Sequence, residues 1–140
     1  MSSIVSAFPA VTASIDIDIP YTVTMTDGVH RWLGDEAEID GGANAGPTPF
    51  QLLLSSLGAC TSITLSMYAK RKAWPLTGVD VNLELNPNGK PADGNQIVRH
   101  VVLHGELSAE QRERLLQVAN ACPVHKILTG NIAIETSLVD

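Results

Sequence analysis

Hydrophobic and polar positions alternate with period two near the start of the chain. Ile15, Ile17 and Ile19 are separated by Asp16 and Asp18, and Val23 and Met25 by a threonine. This period, carried by β-branched residues, predicts strand from Val11 to Met25, broken in two at Pro20-Tyr21. Asp27-Gly28 predicts a hairpin turn, because both positions tolerate positive φ, with a return strand at His30 to Leu33. Gly34 to Pro47 reads as a loop. The period changes at Thr48. Thr48-Pro49-Phe50-Gln51 combines a capping box with proline at the first helical position. From there apolar residues occupy nearly every helical face until about Lys72, ahead of Trp74-Pro75. Val79, Val81, Leu83 and Leu85 alternate with Asp80, Asn82 and Glu84, a half-buried strand. Asn86 to Asn95 reads as a loop, and Ile97 to Leu107 as a second long strand with Ile97, Val101 and Leu103 on one face. Ser108-Ala109-Glu110-Gln111 repeats the capping-box pattern and opens a helix to about Ala121. Cys122-Pro123 starts a short helix through Leu128, and Gly130-Asn131 turns into a last strand, Ile132 to Leu138.

This order predicts an α+β fold with an antiparallel sheet. A helix apolar on all sides needs more cover than one small sheet supplies. A second copy of the chain is the simplest cover, so the pattern predicts an obligate homodimer. At 140 residues the expectation is a single domain over residues 1–140, and 44% apolar against 17% charged residues excludes a disordered chain. The net charge is −6, and the only cationic cluster is Lys70-Arg71-Lys72, which excludes nucleic acid as the expected partner. Pro49 to Ala69 is a stretch of 21 residues without charge, long enough to cross a bilayer. It contains Gln51, Ser55, Ser56, Thr61, Ser62, Thr64 and Ser66, and no second hydrophobic segment accompanies it. It therefore reads as the buried helix of a soluble protein, with no membrane partner. Met1 to Ala13 has no Lys or Arg and carries Pro9, unlike a secretory leader. A cytoplasmic location is expected.

The candidate chemistry rests on two cysteines. Cys60 falls in the middle of the apolar helix, with Ser56, Leu57, Ile63 and Thr64 one turn away. A buried cysteine is ordinarily an inert small hydrophobe with a raised pKa. Cys122 precedes Pro123 at the start of the short helix, where the helix dipole stabilises a thiolate, and His125 is within one turn of it. Taken by themselves, the residues rank Cys122 as the reactive thiol. Cys122-x-x-His125 is half of a zinc site without a second close pair, and His100 and His104 stand about 13 Å apart along a strand. No metal is expected. Gly41-Gly42-Ala43-Asn44-Ala45-Gly46 lacks the Lys-Ser/Thr that completes a phosphate loop. Arg31, just after the hairpin turn, is placed to orient an anion or lower a thiol pKa. Asp35 and Glu36 read as loop charges.

Three segments together resemble a known family. Gly41-Gly42-Ala43-Asn44-Ala45-Gly46-Pro47-Thr48-Pro49, Leu52-Leu53-Leu54-Ser55-Ser56-Leu57-Gly58-Ala59-Cys60-Thr61 and Ala119-Asn120-Ala121-Cys122-Pro123-Val124-His125 are similar to the OsmC/Ohr proteins, the osmotically inducible and organic hydroperoxide resistance proteins. The resemblance spans roughly residues 21 to 138. It implies the OsmC-like fold, with antiparallel sheets wrapped around a long central helix in an intertwined homodimer. It also implies an active site at the subunit interface that reduces organic hydroperoxides through thiols. The first cysteine of the family attacks the peroxide and the second resolves it as a disulfide. These roles fall on Cys60 and Cys122, the reverse of the ranking from the residues alone. The family's arginine comes from the N-terminal sheet, and Arg31 matches it by position. Peroxidases of the family carry a glutamate after the proline that opens the central helix. Phe50 stands there in this chain, as in the divergent OsmC-like branch. The implied cycle uses no cofactor and no metal, and needs an external dithiol reductant. The alternative is a non-catalytic OsmC-like protein that binds an apolar ligand or senses redox state through the same cysteines.

Overall fold

Strand pairing begins where the threonine-rich alternation allows it. The computed structural model of the protein describes residues 10–139, so most of the Met1–Ala13 segment read above as lacking a leader lies outside the described residues. The chain forms two compact units, Met1–Leu53 and Leu54–Asp140. In the first, β1 (Thr12–Ile15), β2 (Val23–Thr26) and β3 (Arg31–Gly34) make an antiparallel sheet in that order. The predicted break at Pro20-Tyr21 is wider than expected, with β1 stopping at Ile15 and an Asp16 carbonyl accepting from the Ile19 amide at 2.9 Å. The hairpin is also longer than a two-residue turn. Thr26 pairs with Arg31, and the Asp27 carboxylate holds the intervening loop by accepting from the amides of Val29 (2.9 Å) and His30 (2.6 Å).

After β3 the chain does not run as a simple loop. A short 3-10 turn, Glu38–Asp40, is followed by a tight return to Thr48. Asp35, expected to be a loop charge, is instead 2% exposed. It accepts from the Thr22 hydroxyl at 2.6 Å and from the amides of Glu36 (2.7 Å), Ala43 (3.2 Å) and Ala45 (3.2 Å). The physical reason is that a turn with many inward amides needs an acceptor, and a carboxylate supplies several lone pairs at one point. Gly42 is needed there because a Cβ would collide with the Glu36 carbonyl. The glycine-rich segment is thus a cradle for the chain's own carboxylate.

The long helix, α1 (Pro49–Lys72), starts as the sequence predicts. The Thr48 amide donates to Gln51 Oε1 at 2.9 Å and the Gln51 amide to Thr48 Oγ1 at 3.2 Å. In the second unit, β4 (Gly78–Leu85) and β5 (Ile97–His104) pair antiparallel along their whole length. The helix α2 (Ala109–Ala119) opens with the Ser108 capping box, and α3 (Pro123–Thr129) follows Cys122 at its N-cap. Leu65 and Ala69 of α1 pack with Leu115, Val118 and Ala119 of α2, and Val79, Val101 and Leu103 of the sheet close over them. This is the α+β, OsmC-like architecture expected.

One expected element is missing among the described residues. No strand forms at Ile132 to Leu138. A strand exists only against a hydrogen-bonding neighbour, and this segment has none in the single chain. Its apolar side chains remain exposed, Ile134 at 85% and Leu138 at 100%. One side of α1 is uncovered too: Ile63 and Met67 are exposed while Leu57, Thr61, Leu65 and Ala69 are buried.

The Asp35 carboxyl is held down from its ordinary 3.8 to about 2, by the Thr22 hydroxyl first and by the Glu36, Ala45 and Ala43 amides, against the opposing effect of burial. A depressed carboxyl contributes stability that is complete above the unfolded value and lost as pH falls through the folded one. Thermal melts of the wild type should therefore lose stability between about pH 4 and about pH 2. Asp35→Asn should melt several degrees lower at neutral pH and show a flatter acid limb; equal limbs in the two proteins would contradict this account.

Candidate functional site

The residues of the second unit that carry chemistry converge on Cys122. Pro123 fixes the start of α3 and leaves Cys122 at its N-cap, fully buried. The Val124 and His125 amides face its sulfur, although no tight capping hydrogen bond forms to the thiol. Cys60, half-buried on α1, interacts directly with Cys122, and both thiols are free. The position of Cys60 twelve residues after Thr48 and the break between α2 and α3 thus bring together the chain's two cysteines.

The two thiols are inequivalent. Burial pushes the Cys60 thiol up, and contact with Cys122 pushes it further, against the Val124 amide and the Thr64 hydroxyl. Burial opposes ionisation of Cys122 as well. There, however, hydrogen bonding from the Cys60 thiol, the His125 and Val124 amides and the Thr61 hydroxyl outweighs it, and its pKa is lowered. The contact thus raises the Cys60 thiol and lowers the Cys122 thiol, with the Cys60 thiol as the donor between them.

A third group was not singled out in the sequence. Arg99 of β5 donates from Nη1 to Thr61 Oγ1 at 3.0 Å, and from Nη2 to Asn120 Oδ1 and His125 Nδ1, each at 3.0 Å. The signal was present: residues 97, 99, 101 and 103 share one strand face, so Arg99 lies on the face of Ile97, Val101 and Leu103. An arginine on an apolar strand face requires a polar destination. Gly58 helps supply it, because a Cβ there would stand 2.9 Å from Leu83 Cδ1, and Leu83 is the cross-strand partner of Arg99. The absent side chain lets the sheet approach α1 one turn before Thr61.

His125 reaches Cys122 through its amide, while its ring accepts from Arg99. Burial and then the Arg99 charge lower the ring's pKa. A guanidinium only donates, so Nδ1 is the acceptor and the neutral ring carries its proton on Nε2. Arg31 occupies the first position of β3, opposite Thr26, and is exposed in the first unit. Phe50 is exposed at the start of α1. Among the described residues no three His, Cys, Asp or Glu side chains group as a metal site.

The family model described as OsmC-like protein matches residues 41–137, which contain both cysteines, Thr61, Arg99 and His125. No curated protein matches the chain in sequence. Among solved structures, an OsmC-like protein from Mycoplasma pneumoniae superposes with a TM-score of 0.74 at 23% identity, over 90% of each chain. An organic hydroperoxide resistance protein OsmC from Legionella pneumophila gives 0.63 at 22% identity, over 87% of this chain and 89% of its own. The organic hydroperoxide resistance protein OhrB of Bacillus subtilis gives 0.58 at 25% identity, over 87% and 90%. By the extent of the family match and by its fold, this chain belongs to the OsmC-like family.

Proposed function

We propose that the protein is a two-cysteine thiol peroxidase acting on organic hydroperoxides. The observation that carries this reading is the direct interaction of Cys60 with Cys122, the only cysteines in the chain. Its likeness to organic hydroperoxide resistance proteins supports a redox or peroxide-resistance role. Residues 1–140 serve as one OsmC-like domain, two chains form a homodimer with the site at their interface, and the setting is a reducing cytoplasm.

The inequivalence of the thiols suggests a division of labour. Cys60 is the less buried of the two, so it is the one a peroxide reaches. Its proton passes to the Cys122 thiolate. The Cys60 thiolate then attacks one peroxide oxygen, the O–O bond breaks, and the alkoxide leaves and takes the proton back from Cys122. Cys60 is now a sulfenic acid and Cys122 again a thiolate. Cys122 attacks the Cys60 sulfur, a disulfide forms, and hydroxide leaves to become water with a solvent proton. An external dithiol returns both cysteines to thiols and is itself oxidised to a disulfide. Arg31 is the cation that steadies the departing alkoxide. No metal or cofactor enters this cycle.

The alternative reading, a non-catalytic protein that binds an apolar ligand or senses redox state, has one observation in its favour. The first unit holds a cleft of about 630 Å³ lined mostly by apolar side chains, among them Ile15, Tyr21, Val23, Met25 and Leu52.

Turnover of cumene hydroperoxide with dihydrolipoamide separates the readings: a peroxidase consumes peroxide continuously and a binding protein does not. Cys60→Ser should abolish consumption. Without reductant, Cys122→Ser should form Cys60 sulfenic acid with the first equivalent of peroxide and sulfinic acid with a second, with no disulfide, read by intact mass. Oxidation of Cys122 at the wild-type rate in Cys60→Ser would reverse the two roles. Arg31→Met should lower turnover by about a hundredfold with unchanged thiol titration, the loss expected when a charge-stabilising donor is removed. Light scattering should give about twice the 14.9 kDa chain mass, because Ile63, Met67, Ile132 and Ile134 need cover; a stable monomer at micromolar concentration contradicts the interface site.

A further inference from the structure

Among the described residues Arg99 has no carboxylate partner: the ion pairs there are His30 with Asp27 and His104 with Asp80. All three of its hydrogen-bond partners are neutral: a hydroxyl, an amide oxygen and an imidazole nitrogen. Asn120 and His125 flank Cys122 in sequence, and Thr61 follows Cys60. The guanidinium thus ties together the segments that carry the two thiols.

The hydrogen-bond capacity of Thr61 makes this arrangement directional. Thr61 is fully buried, and its hydroxyl has one proton and two acceptor positions. Arg99 Nη1 occupies one acceptor position. The single proton has two takers, the Leu57 carbonyl at 2.7 Å and the Cys122 sulfur. A hydroxyl that accepts from a charged donor is polarised and becomes a stronger donor itself. In the structure the hydroxyl donates to the Leu57 carbonyl, and a rotation about Cβ–Oγ1 is all that would redirect it to the Cys122 sulfur.

We propose that Arg99 is a positioning residue for the thiol pair, one that acts through the Thr61 hydroxyl to hold negative charge on Cys122 and that keeps His125 neutral with its proton on Nε2. The guanidinium takes the part of a counter-ion at one hydrogen bond's remove. Its catalytic meaning rests on the two-cysteine reading. The titratable and charged groups around Cys122 are Cys60 from α1, His125 from α3 and Arg99 from β5. His125, already neutral, contributes its amide and no charge.

The test is a pH titration of thiolate by ultraviolet absorbance on the full chain, read against the Cys60→Ser, Cys122→Ser double variant as blank. It requires no peroxide turnover, so it reads the Arg99 role even if the peroxidase reading fails. Arg99→Gln should raise the midpoint of the first thiol ionisation by about one unit, a tenfold loss of thiolate below the midpoint. Arg99→Lys, which keeps the charge, should restore most of it. An unchanged midpoint in Arg99→Gln, or a shift in Arg99→Lys as large as in Arg99→Gln, overturns the proposal. If circular dichroism shows that Arg99→Gln does not fold, Thr61→Val carries the test, since it removes the hydroxyl at nearly constant shape. Its midpoint should also rise, and an unshifted Thr61→Val titration overturns the proposal equally.

Discussion

The contact between Cys60 and Cys122 sets the terms for everything around it in the second unit. A negative charge on this pair, one thiol of which is fully buried, faces a desolvation cost unless polar groups converge on it. The fold answers with three kinds of donor at Cys122: the partner thiol, two amides at the start of α3, and the Thr61 hydroxyl. Each comes from a different piece of local chemistry. Pro123 frees the amides by starting a helix, and Thr61 is carried by an α1 turn whose own carbonyl takes the hydroxyl. A buried site that must be charged at one moment and neutral at another needs donors with somewhere else to go.

Asp35 in the first unit presents the same physical problem with a different solution. Its carboxylate is permanently charged, and three amides and one hydroxyl are committed to it. No switching is needed, so backbone amides fixed by a glycine-rich turn suffice. The two buried acidic groups therefore differ in the mobility of their donors. Amides locked by loop geometry suit a structural charge, whereas a rotatable hydroxyl backed by a guanidinium suits a charge that comes and goes.

What was legible in the sequence follows from how local the information is. The α1 start, both capping boxes and the β4–β5 alternation are encoded within a few residues of where they act, and the structure matches them closely. The Asp35 cradle was missed because its donors come from positions 22, 36, 43 and 45, which no short pattern connects. The strand expected at Ile132 to Leu138 shows the opposite failure. Its alternation is local, but a strand also requires a partner that the single chain does not provide. Cys60 and Cys122 were found as candidates from residue type and from the resemblance. The local argument for Cys122, a helix start that stabilises charge, agrees with its lowered pKa.

Arg99 combines both lessons, since its strand face was readable and its destination was not. Gly58 explains how that destination arises. In the run Leu57-Gly58-Ala59-Cys60-Thr61, the glycine weakens a helix interior, where it costs about 1 kcal/mol against alanine. The packing gives it a purpose: Leu83 fills the space a Cβ would take, and cross-strand pairing sets Arg99 beside Leu83. The local weakness of α1 is thus exchanged for the approach of a cation to Thr61, the next turn along. A Cβ at position 58 would meet the end of the flexible Leu83 side chain, which can turn aside before β4 or the 3.0 Å bond from Arg99 to Thr61 has to move. Gly58 thus eases the contact of Leu83 with α1, and cross-strand pairing carries Arg99 alongside it to Thr61.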